Sequence, residues 1–221
     1  MKRALIFTLF MVVAGATFAQ NLQIHYDALE DREYFTTTLE MFKPDEYGAT
    51  FWFVDMDYDY RHDGYKSASL SYLEIARYVN LPVDKFSATV QYNDGIVDGF
   101  PLGPIWLFGV SYPIDLGFIT LNTDLLYRTA YNSDAPDAQL TVVWFKDFLE
   151  GKITFGGFLD VWTQENVVED KKELVLLTEP QVWYNITNHL AAGTEIELSQ
   201  NFLPTSDDFE IFPTLGIKWT F

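Results

Sequence analysis

The sequence predicts an all-β, single-domain protein: a transmembrane antiparallel β-barrel of about 12 strands. Three observations lead to this prediction. Apolar and polar residues alternate in short runs along most of the 221 residues, which is the period of a strand with two unlike faces. Short and long linkers follow one another regularly between these runs. No stretch is long and apolar enough to cross a bilayer as a helix.

The first 19 residues have the features of a secretory signal peptide. Two basic residues open the segment, the run 4–13 is apolar, and Thr17 and Ala19 place small side chains before a cleavage position. The apolar run is too short to anchor the chain in a bilayer. We therefore expect residues 1–19 to be removed and residues 20–221 to form the barrel.

The composition excludes several classes of protein. The formal net charge is -18, so the clustered Lys and Arg needed for nucleic-acid binding are missing. Hydrophobic residues make up 48% of the chain and aromatic residues 17%, which is too many for a disordered acidic chain. The chain has no cysteine, which excludes disulfides, thiol catalysis and thiolate metal sites. We expect no cofactor, no metal and no nucleic-acid partner.

The alternating runs predict strands close to the roughly nine to eleven residues that a tilted strand needs to cross a bilayer. The run 70–79 also has some helical spacing, but its Tyr and Ser residues suit a strand equally well. The predicted strands are approximately residues 21–27, 34–42, 49–58, 67–79, 86–93, 104–112, 118–128, 138–146, 152–162, 174–184, 190–198 and 212–221.

The linkers predict how these strands are connected. Linkers after even-numbered strands are tight, and most of those after odd-numbered strands are longer and polar. An even number of strands, with short turns at one end and longer loops at the other, is the topology of outer-membrane barrels that keep both termini in the periplasm. A soluble up-and-down barrel could have the same linkers.

Aromatic residues favour the membrane barrel over its inverted, soluble counterpart. Many lie near strand ends, where girdles at the two lipid–water interfaces are expected. These are Tyr26, Tyr58, Tyr92, Tyr112, Tyr127, Tyr184 and Trp219. Inversion would instead pack these large rings into one narrow lumen.

The polar faces of the strands predict the lining of a lumen. A charge that faces lipid at mid-depth costs roughly 2–4 kcal/mol, so the carboxylates must point inward. Arg77 falls on the face opposite Glu74, and we expect it at an interface that its long side chain can reach. The predicted lining residues are Glu40, Phe51, Phe53, Asp55, Asp57, Glu74, Gln91, Asp124, Arg128, Glu179, Gln181, Trp183, Glu195, Glu197 and Lys218.

Pro180 interrupts the tenth predicted strand. A proline inside a strand indicates a bulge, which could aim Glu179 and Gln181 into a pore. A kink that shapes the barrel without contacting a solute is the alternative.

The sequence does not predict an enzyme. His25, His62 and His189 fall on the first strand, an outer loop and an inner turn, so neither a metal cluster nor a Ser-His pair is indicated. No nucleophile elbow, phosphate loop or metalloprotease helix motif is present. The acidic outer loops could bind divalent ions that bridge lipopolysaccharide, or form a solvated rim.

The last predicted strand has one apolar face, formed by Leu215, Ile217, Trp219 and Phe221. It resembles the C-terminal strand of bacterial outer-membrane barrels, whose final aromatic residue is read by the barrel-insertion machinery. We expect this strand to close the barrel against residues 21–27.

Several runs resemble an uncharacterised Gram-negative outer-membrane family, which is in turn similar to the Tsx-like nucleoside-specific channel-forming proteins. They are Asn21–Tyr26, Tyr34–Phe42, Thr50–Asp57, Leu73–Arg77, Val90–Asn93, Trp106–Gly109 and Thr178–Asn185. The resemblance implies a monomeric barrel in the cell outer membrane, in contact with lipid and lipopolysaccharide, that passively conducts small solutes, nucleosides in particular. The nucleoside-contacting positions of the channel proteins have no residue-by-residue match here.

The strand with Phe51, Phe53, Asp55 and Asp57 on its polar face is the strongest candidate for solute contact, with Glu40 opposite. Aromatic rings can stack on a nucleobase, and carboxylates can accept hydrogen bonds from ribose hydroxyls. Alternatively, these carboxylates pair with cationic residues and water in a plugged lumen. The protein would then be a structural or surface barrel without transport. A soluble periplasmic ligand-binding barrel is a third possibility.

Overall fold

The computed structural model describes residues 19–30, 32–61, 68–131, 133, 135–166, 171–203 and 208–221. The predicted signal peptide lies almost wholly outside these residues, and so does His62. Antiparallel strands make up most of the described chain. They are β1 Ala19–Asp27, β2 Phe35–Asp45, β3 Gly48–Tyr58, β4 Leu70–Asn80, β5 Ser87–Val97, β6 Phe100–Pro101, β7 Ile105–Asp115, β8 Thr120–Ala130, β9 Asp137–Phe148, β10 Ile153–Asn166, β11 Lys171–Thr178, β12 Gln181–Asn185, β13 Leu190–Gln200 and β14 Phe209–Thr220.

The first and last strands close the sheet into a barrel. β1 pairs with β14 from Asn21 opposite Thr220 to Asp27 opposite Thr214. Each other strand pairs with its neighbours along the chain, apart from the short β6, which folds back on β5. The predicted closure of the barrel is confirmed.

The barrel wall is twelve strands around, as predicted. β11 and β12 together count as one of these strands, because both lie between β10 and β13. Most strands have 11 or more residues. At about 3.3 Å per residue and a tilt of about 40°, 11 residues span about 28 Å, which is close to the hydrocarbon thickness of a bilayer. The run 70–79, which also had helical spacing, lies in strand β4.

Tight turns connect the strands at the end that holds both termini. The turn between β9 and β10 has positive φ angles at Leu149, Glu150 and Gly151, and the Gly151 amide donates to the Phe148 carbonyl over 3.1 Å. The longer connections lie at the opposite end, as the linker lengths predicted.

The outer face of the barrel is apolar. Leu125, Leu215 and Ile217 are 62%, 70% and 58% exposed, although they belong to the most hydrophobic residue types. Inside, Gln23, His25 and Asp124 are almost completely buried. Soluble monomers rarely expose continuous apolar patches of more than a few hundred Å². The distribution is that of a membrane barrel and is opposite to that of a soluble barrel with an apolar core.

No helix in the described part of the chain has the length and hydropathy to cross a membrane.

Arg77 lies on the outer face, near the end of the barrel that holds the termini. Its guanidinium forms two hydrogen bonds with the Asp45 carboxylate, Nη1–Oδ2 at 2.5 Å and Nη2–Oδ1 at 3.0 Å. This is the expected position, opposite in direction to Glu74 and close to the edge of the apolar band.

Candidate functional site

The lumen is the candidate functional site. Residues directly opposite each other on antiparallel strands point to the same face, so the pairing of all the strands assigns each side chain to the lumen or the outside. By this criterion the predicted lining residues face inward. The pairings run through β2–β5 for Glu40 to Gln91, through β7–β9 for Asp124 and Arg128, and through β12–β14 for Gln181 to Lys218. Glu179 lies between β11 and β12, two residues before Gln181 and on the same face by alternation.

One row of lumen residues combines an aromatic ring with carboxylates. Phe53 on β3 lies directly opposite Glu40 on β2 and directly opposite Glu74 on β4. The next residue in the row is Asn93 on β5, opposite Glu74. Cβ atoms of such directly opposite pairs lie about 4.5–5.5 Å apart. The ring therefore has an acidic neighbour on both sides.

Two further rings extend this row along the barrel. The Phe51 ring centroid lies 5.9 Å from that of Phe53, and the Tyr72 centroid lies 6.1 Å from it. Asp55 is directly opposite Tyr72. Rings and carboxylates thus alternate over β2, β3 and β4.

Glu74 is held by two donors. The Tyr72 hydroxyl donates to its Oε1 over 2.7 Å, and the Asn93 side-chain amide donates to the same oxygen over 2.8 Å. Glu74 also lies within electrostatic range of Asp160, which belongs to β10 on the far side of the lumen, and of Arg128. Tyr72 and Asn93 therefore hold Glu74 from one side, and Asp160 and Arg128 act on its carboxyl group from other walls of the lumen.

The wall formed by β12 and β13 is also acidic. Gln181 donates to Glu195 over 2.5 Å and accepts a hydrogen bond from the indole of Trp183 over 2.9 Å. Glu179 interacts electrostatically with Glu195 and Glu197. Glu179 and Glu195 also interact with Asp55 across the lumen.

The prediction of a bulge at Pro180 is wrong. Leu176 lies opposite Gln200 and Gln181 opposite Glu195, so the same register with β13 continues on both sides of the proline. No extra residue has been inserted. The ladder is only interrupted, because proline has no amide hydrogen to donate, while its carbonyl still accepts from Ile196 over 3.1 Å.

Three cationic side chains, Lys218, Arg128 and Arg32, balance part of this charge in the described lumen, and the Lys172 ammonium lies 2.6 Å from the Asp137 carboxylate. The Lys218 ammonium lies 4.2 Å from the Trp183 ring centroid and interacts with Glu40 and Glu195. The Arg128 guanidinium lies 5.6 Å from the Trp162 ring centroid and interacts with carboxylates of the β8–β10 wall. Arg32 is the third. The inward position expected for Lys218 is the one observed.

Arg32 lies in the mouth at the loop end. Its Nε is 2.6 Å from an Asp27 carboxylate oxygen, and its guanidinium carbon is 4.0 Å from the Phe212 ring centroid. Asp57 accepts a hydrogen bond from the Thr36 hydroxyl over 2.6 Å and interacts with Arg32. Burial and the nearby Asp57 carboxylate raise the pKa of the Tyr34 hydroxyl, so this group stays protonated.

Two predicted residues belong to a separate network. Asp124 accepts hydrogen bonds from the Tyr78 hydroxyl over 2.9 Å and from the Gln91 side-chain amide over 3.0 Å. Gln91 and Asp124 are thus brought together with Tyr78, whereas Phe51, Phe53 and Glu40 meet elsewhere.

The sequence interpretation missed several lumen residues. Tyr72 shares the parity of Glu74, and Asn93 shares that of Gln91, so alternation alone could have found both. Asp160 faces inward on β10, where it accepts from the Thr141 hydroxyl over 2.5 Å. Arg32 had no such signal, because it reaches the lumen from a loop.

Within the described residues, His25 and His189 do not form a catalytic or metal group with each other. His25 is buried in the lumen between Thr214 and Gln23, at 2.9 and 3.1 Å, and its ring meets the edge of Trp183. His189 contacts the Thr220 carbonyl in a turn. Among the described residues, no three His, Asp or Glu side chains are placed to hold a metal ion.

A closed barrel with an apolar outside and a polar, acidic lumen is the architecture of outer-membrane barrels. The chain belongs to the family described as a domain of unknown function, DUF5020, whose model matches residues 19–221.

Solved porins have the same fold. A NanC porin is 10% identical in sequence with a TM-score of 0.61, and the match covers 92% of this chain and 100% of the porin. The KdgM porin is 9% identical with a TM-score of 0.55, covering 92% of this chain and 99% of the porin. At this identity the likeness concerns the fold alone. No curated protein sequence matches the chain significantly.

Proposed function

We propose that the protein is a passive, porin-like channel of the Gram-negative outer membrane for small solutes. The observation that carries this proposal is the contrast between the two faces of the barrel. The outer face has apolar side chains that are compatible with lipid, and most of the strands contribute carboxyl groups to the inner face. Burying that many acidic groups has a large desolvation cost, which a function inside the lumen would justify. Barrels of eight strands are filled by side chains, and those of 16–18 strands hold water-filled channels. A barrel of 12 strands has an intermediate diameter, which allows a narrow pore.

Nucleosides are the solute class to test first. The Phe51 and Phe53 rings offer faces on which a base can stack, and Asp55 and Asp57 can accept hydrogen bonds from ribose hydroxyls. A nucleoside is uncharged, so the acidic lumen does not repel it. Anions, in contrast, would need a lining rich in Arg or Lys.

A barrel without transport is the second candidate. Leu107, Leu126, Val175 and Trp183 point into the lumen and are at most 2% exposed. These apolar side chains fill part of the interior, which favours a structural or surface role if no continuous water path exists between the polar groups.

We propose no catalytic activity for the lumen. The His25 ring already has hydrogen-bond partners on both nitrogens, Thr214 and Gln23. Such a ring serves to hold neighbouring strands together and offers no free position for a substrate.

The partners that we propose are lipid, lipopolysaccharide and the barrel-insertion machinery, with the protein acting as a monomer. Phe221 is 62% exposed and follows the apolar outer face of β14, so the folded barrel does not need its ring for packing inside the lumen.

Purified protein in planar bilayers and liposomes tests the channel. We expect a conductance that prefers cations, and uptake of uridine or adenosine that other nucleosides reduce by competition. Heat-modifiable gel migration shows that the barrel is folded. Folded protein with neither conductance nor uptake would contradict the channel and support the filled barrel, and recovery from the periplasm without detergent would contradict the membrane location.

A further inference from the structure

The alternation of rings and carboxylates on β2–β4 has a chemical consequence of its own. We use the name ring–acid patch for Phe51, Phe53, Tyr72, Glu40, Asp55 and Glu74, which face the lumen together. The faces of aromatic rings and carboxylates share one property: both attract positive charge.

Two buried oxygen atoms beside the patch have no hydrogen-bond donor in the described part of the chain. One is Oδ1 of Asn93, a residue that is only 7% exposed and whose amide nitrogen is already committed to Glu74. The other is Oδ1 of Asp55. A buried acceptor without a donor is costly, so these two atoms point to a ligand that brings donors or positive charge.

The cationic side chains of the lumen do not neutralise the patch. Lys218 interacts with Glu40 and lies against Trp183 on the opposite wall. Arg128 interacts with Glu74 but also with Asp137 and Asp160. Glu179 and Glu195 add two further carboxyl groups across the lumen, within electrostatic range of Asp55. Carboxyl groups around the patch therefore outnumber the cationic side chains near it, which favours a further cation.

We infer that the ring–acid patch binds small organic cations, in which an ammonium or quaternary ammonium group lies between the Phe53 and Tyr72 rings and the carboxylates of Glu40 and Glu74. This inference rests on the proposed function, since it names the solute class that the channel retains longest. Rings favour an organic cation over a metal ion, because they attract weakly hydrated positive groups and supply no oxygen ligands.

Binding to detergent-solubilised protein tests the site without requiring conduction. Choline is the probe, because its charge does not depend on pH, and 3,3-dimethylbutan-1-ol is its uncharged counterpart of nearly the same shape. Isothermal titration calorimetry should detect choline binding and at least about tenfold weaker binding of the alcohol, the factor expected when one charge-dependent contact is lost.

Three variants locate the site. Phe53→Leu and Glu74→Gln should each weaken choline binding about tenfold, since one removes a ring face and the other replaces a carboxyl group, which can ionise beside a bound cation, by a neutral amide of similar shape. Phe108→Leu is the matched control, because Phe108 is an exposed residue on the outer face. It should leave the affinity unchanged. All four proteins should show the same heat-modifiable migration.

Equal affinity for choline and the alcohol, or no binding of choline by folded protein, would overturn the inference. So would unchanged affinity in folded Phe53→Leu and Glu74→Gln. The two proposals can fail separately. Nucleoside uptake without choline binding would support the channel and contradict the cation site. Choline binding that is weakened in these variants, without any conductance, would support the cation site and contradict the channel.

Discussion

Phe53 and Glu74 lie directly opposite each other on β3 and β4, with Glu40 on the other side of Phe53. This relationship places an aromatic ring between two carboxylates inside a lumen whose other walls are also acidic.

Replacing both Asp55 and Asp57 by Asn should lower nucleoside uptake about tenfold or more. Hydrogen bonds to charged groups are worth about 1.5–3 kcal/mol, and the two amides would accept bonds from ribose less strongly. Uptake into liposomes at equal protein density measures the effect. Asp94→Asn is the control, because Asp94 is on the outer face of β5, where it accepts from Tyr92 over 2.6 Å. Unchanged uptake kinetics in the folded double variant would remove this pair from the solute path.

Lys218→Met should make the channel more selective for cations. Lys218 is one of the three lumen cations described above, and two unit charges about 4 Å apart in water interact by about 1 kcal/mol. Losing it should raise the cation-to-anion permeability ratio about fivefold, read from the reversal potential in a KCl gradient. Lys146→Met, on the outer face of β9, should leave the ratio unchanged. An unchanged ratio in folded Lys218→Met would mean that this side chain does not face the conducting path.

Gly193→Ala should destabilise the barrel by about 1–3 kcal/mol. A Cβ atom at this position would lie 2.2 Å from the Val182 carbonyl oxygen and 2.7 Å from the Trp183 ring. Gly156→Ala offers a comparison, because its Cβ would meet nothing closer than 3.5 Å. Urea unfolding in detergent measures both variants. Equal midpoints would show that the Val182 backbone and the Trp183 ring can both move away without loss of stability.

Phe221→Ala should reduce the amount of protein assembled in the outer membrane, because the insertion machinery is expected to read the final aromatic residue. Refolding of the purified variant into detergent should be normal, since Phe221 is exposed and follows the last strand. Phe209→Ala changes an equally exposed ring at the other end of β14 and should assemble normally. Equal cellular assembly of both variants would contradict the role of the terminal residue.

Much of the barrel could be predicted because membrane strands obey a strict rule. Lipid outside and polar groups inside force alternation, so parity alone assigned Asp55, Glu74 and Lys218 to the lumen. The same rule would have found Tyr72 and Asn93. The linker rhythm predicted which ends of the strands meet, and the apolar face of the last strand predicted its pairing with the first.

Other features depend on register, which alternation does not determine. Shifting a strand by two residues keeps every side chain on its face but changes its cross-strand partners. Only the tertiary structure places Phe53 between Glu40 and Glu74, and only the continuous pairing of β11 and β12 with β13 shows that Pro180 interrupts the ladder without a bulge. Local residue chemistry could not decide this, because a proline is compatible with both arrangements.

The sequence by itself determined the number of strands around the barrel, the face on which most strand side chains lie and the acidic character of the lumen, because these follow from alternation at a period of two and from the cost of placing charge in lipid. The tertiary structure decided which residues meet across strands and across the lumen: Tyr72 and Asn93 on Glu74, Lys218 over Trp183, and Arg32 in the mouth. These contacts join residues far apart in the chain, and their geometry exists only once the barrel has closed.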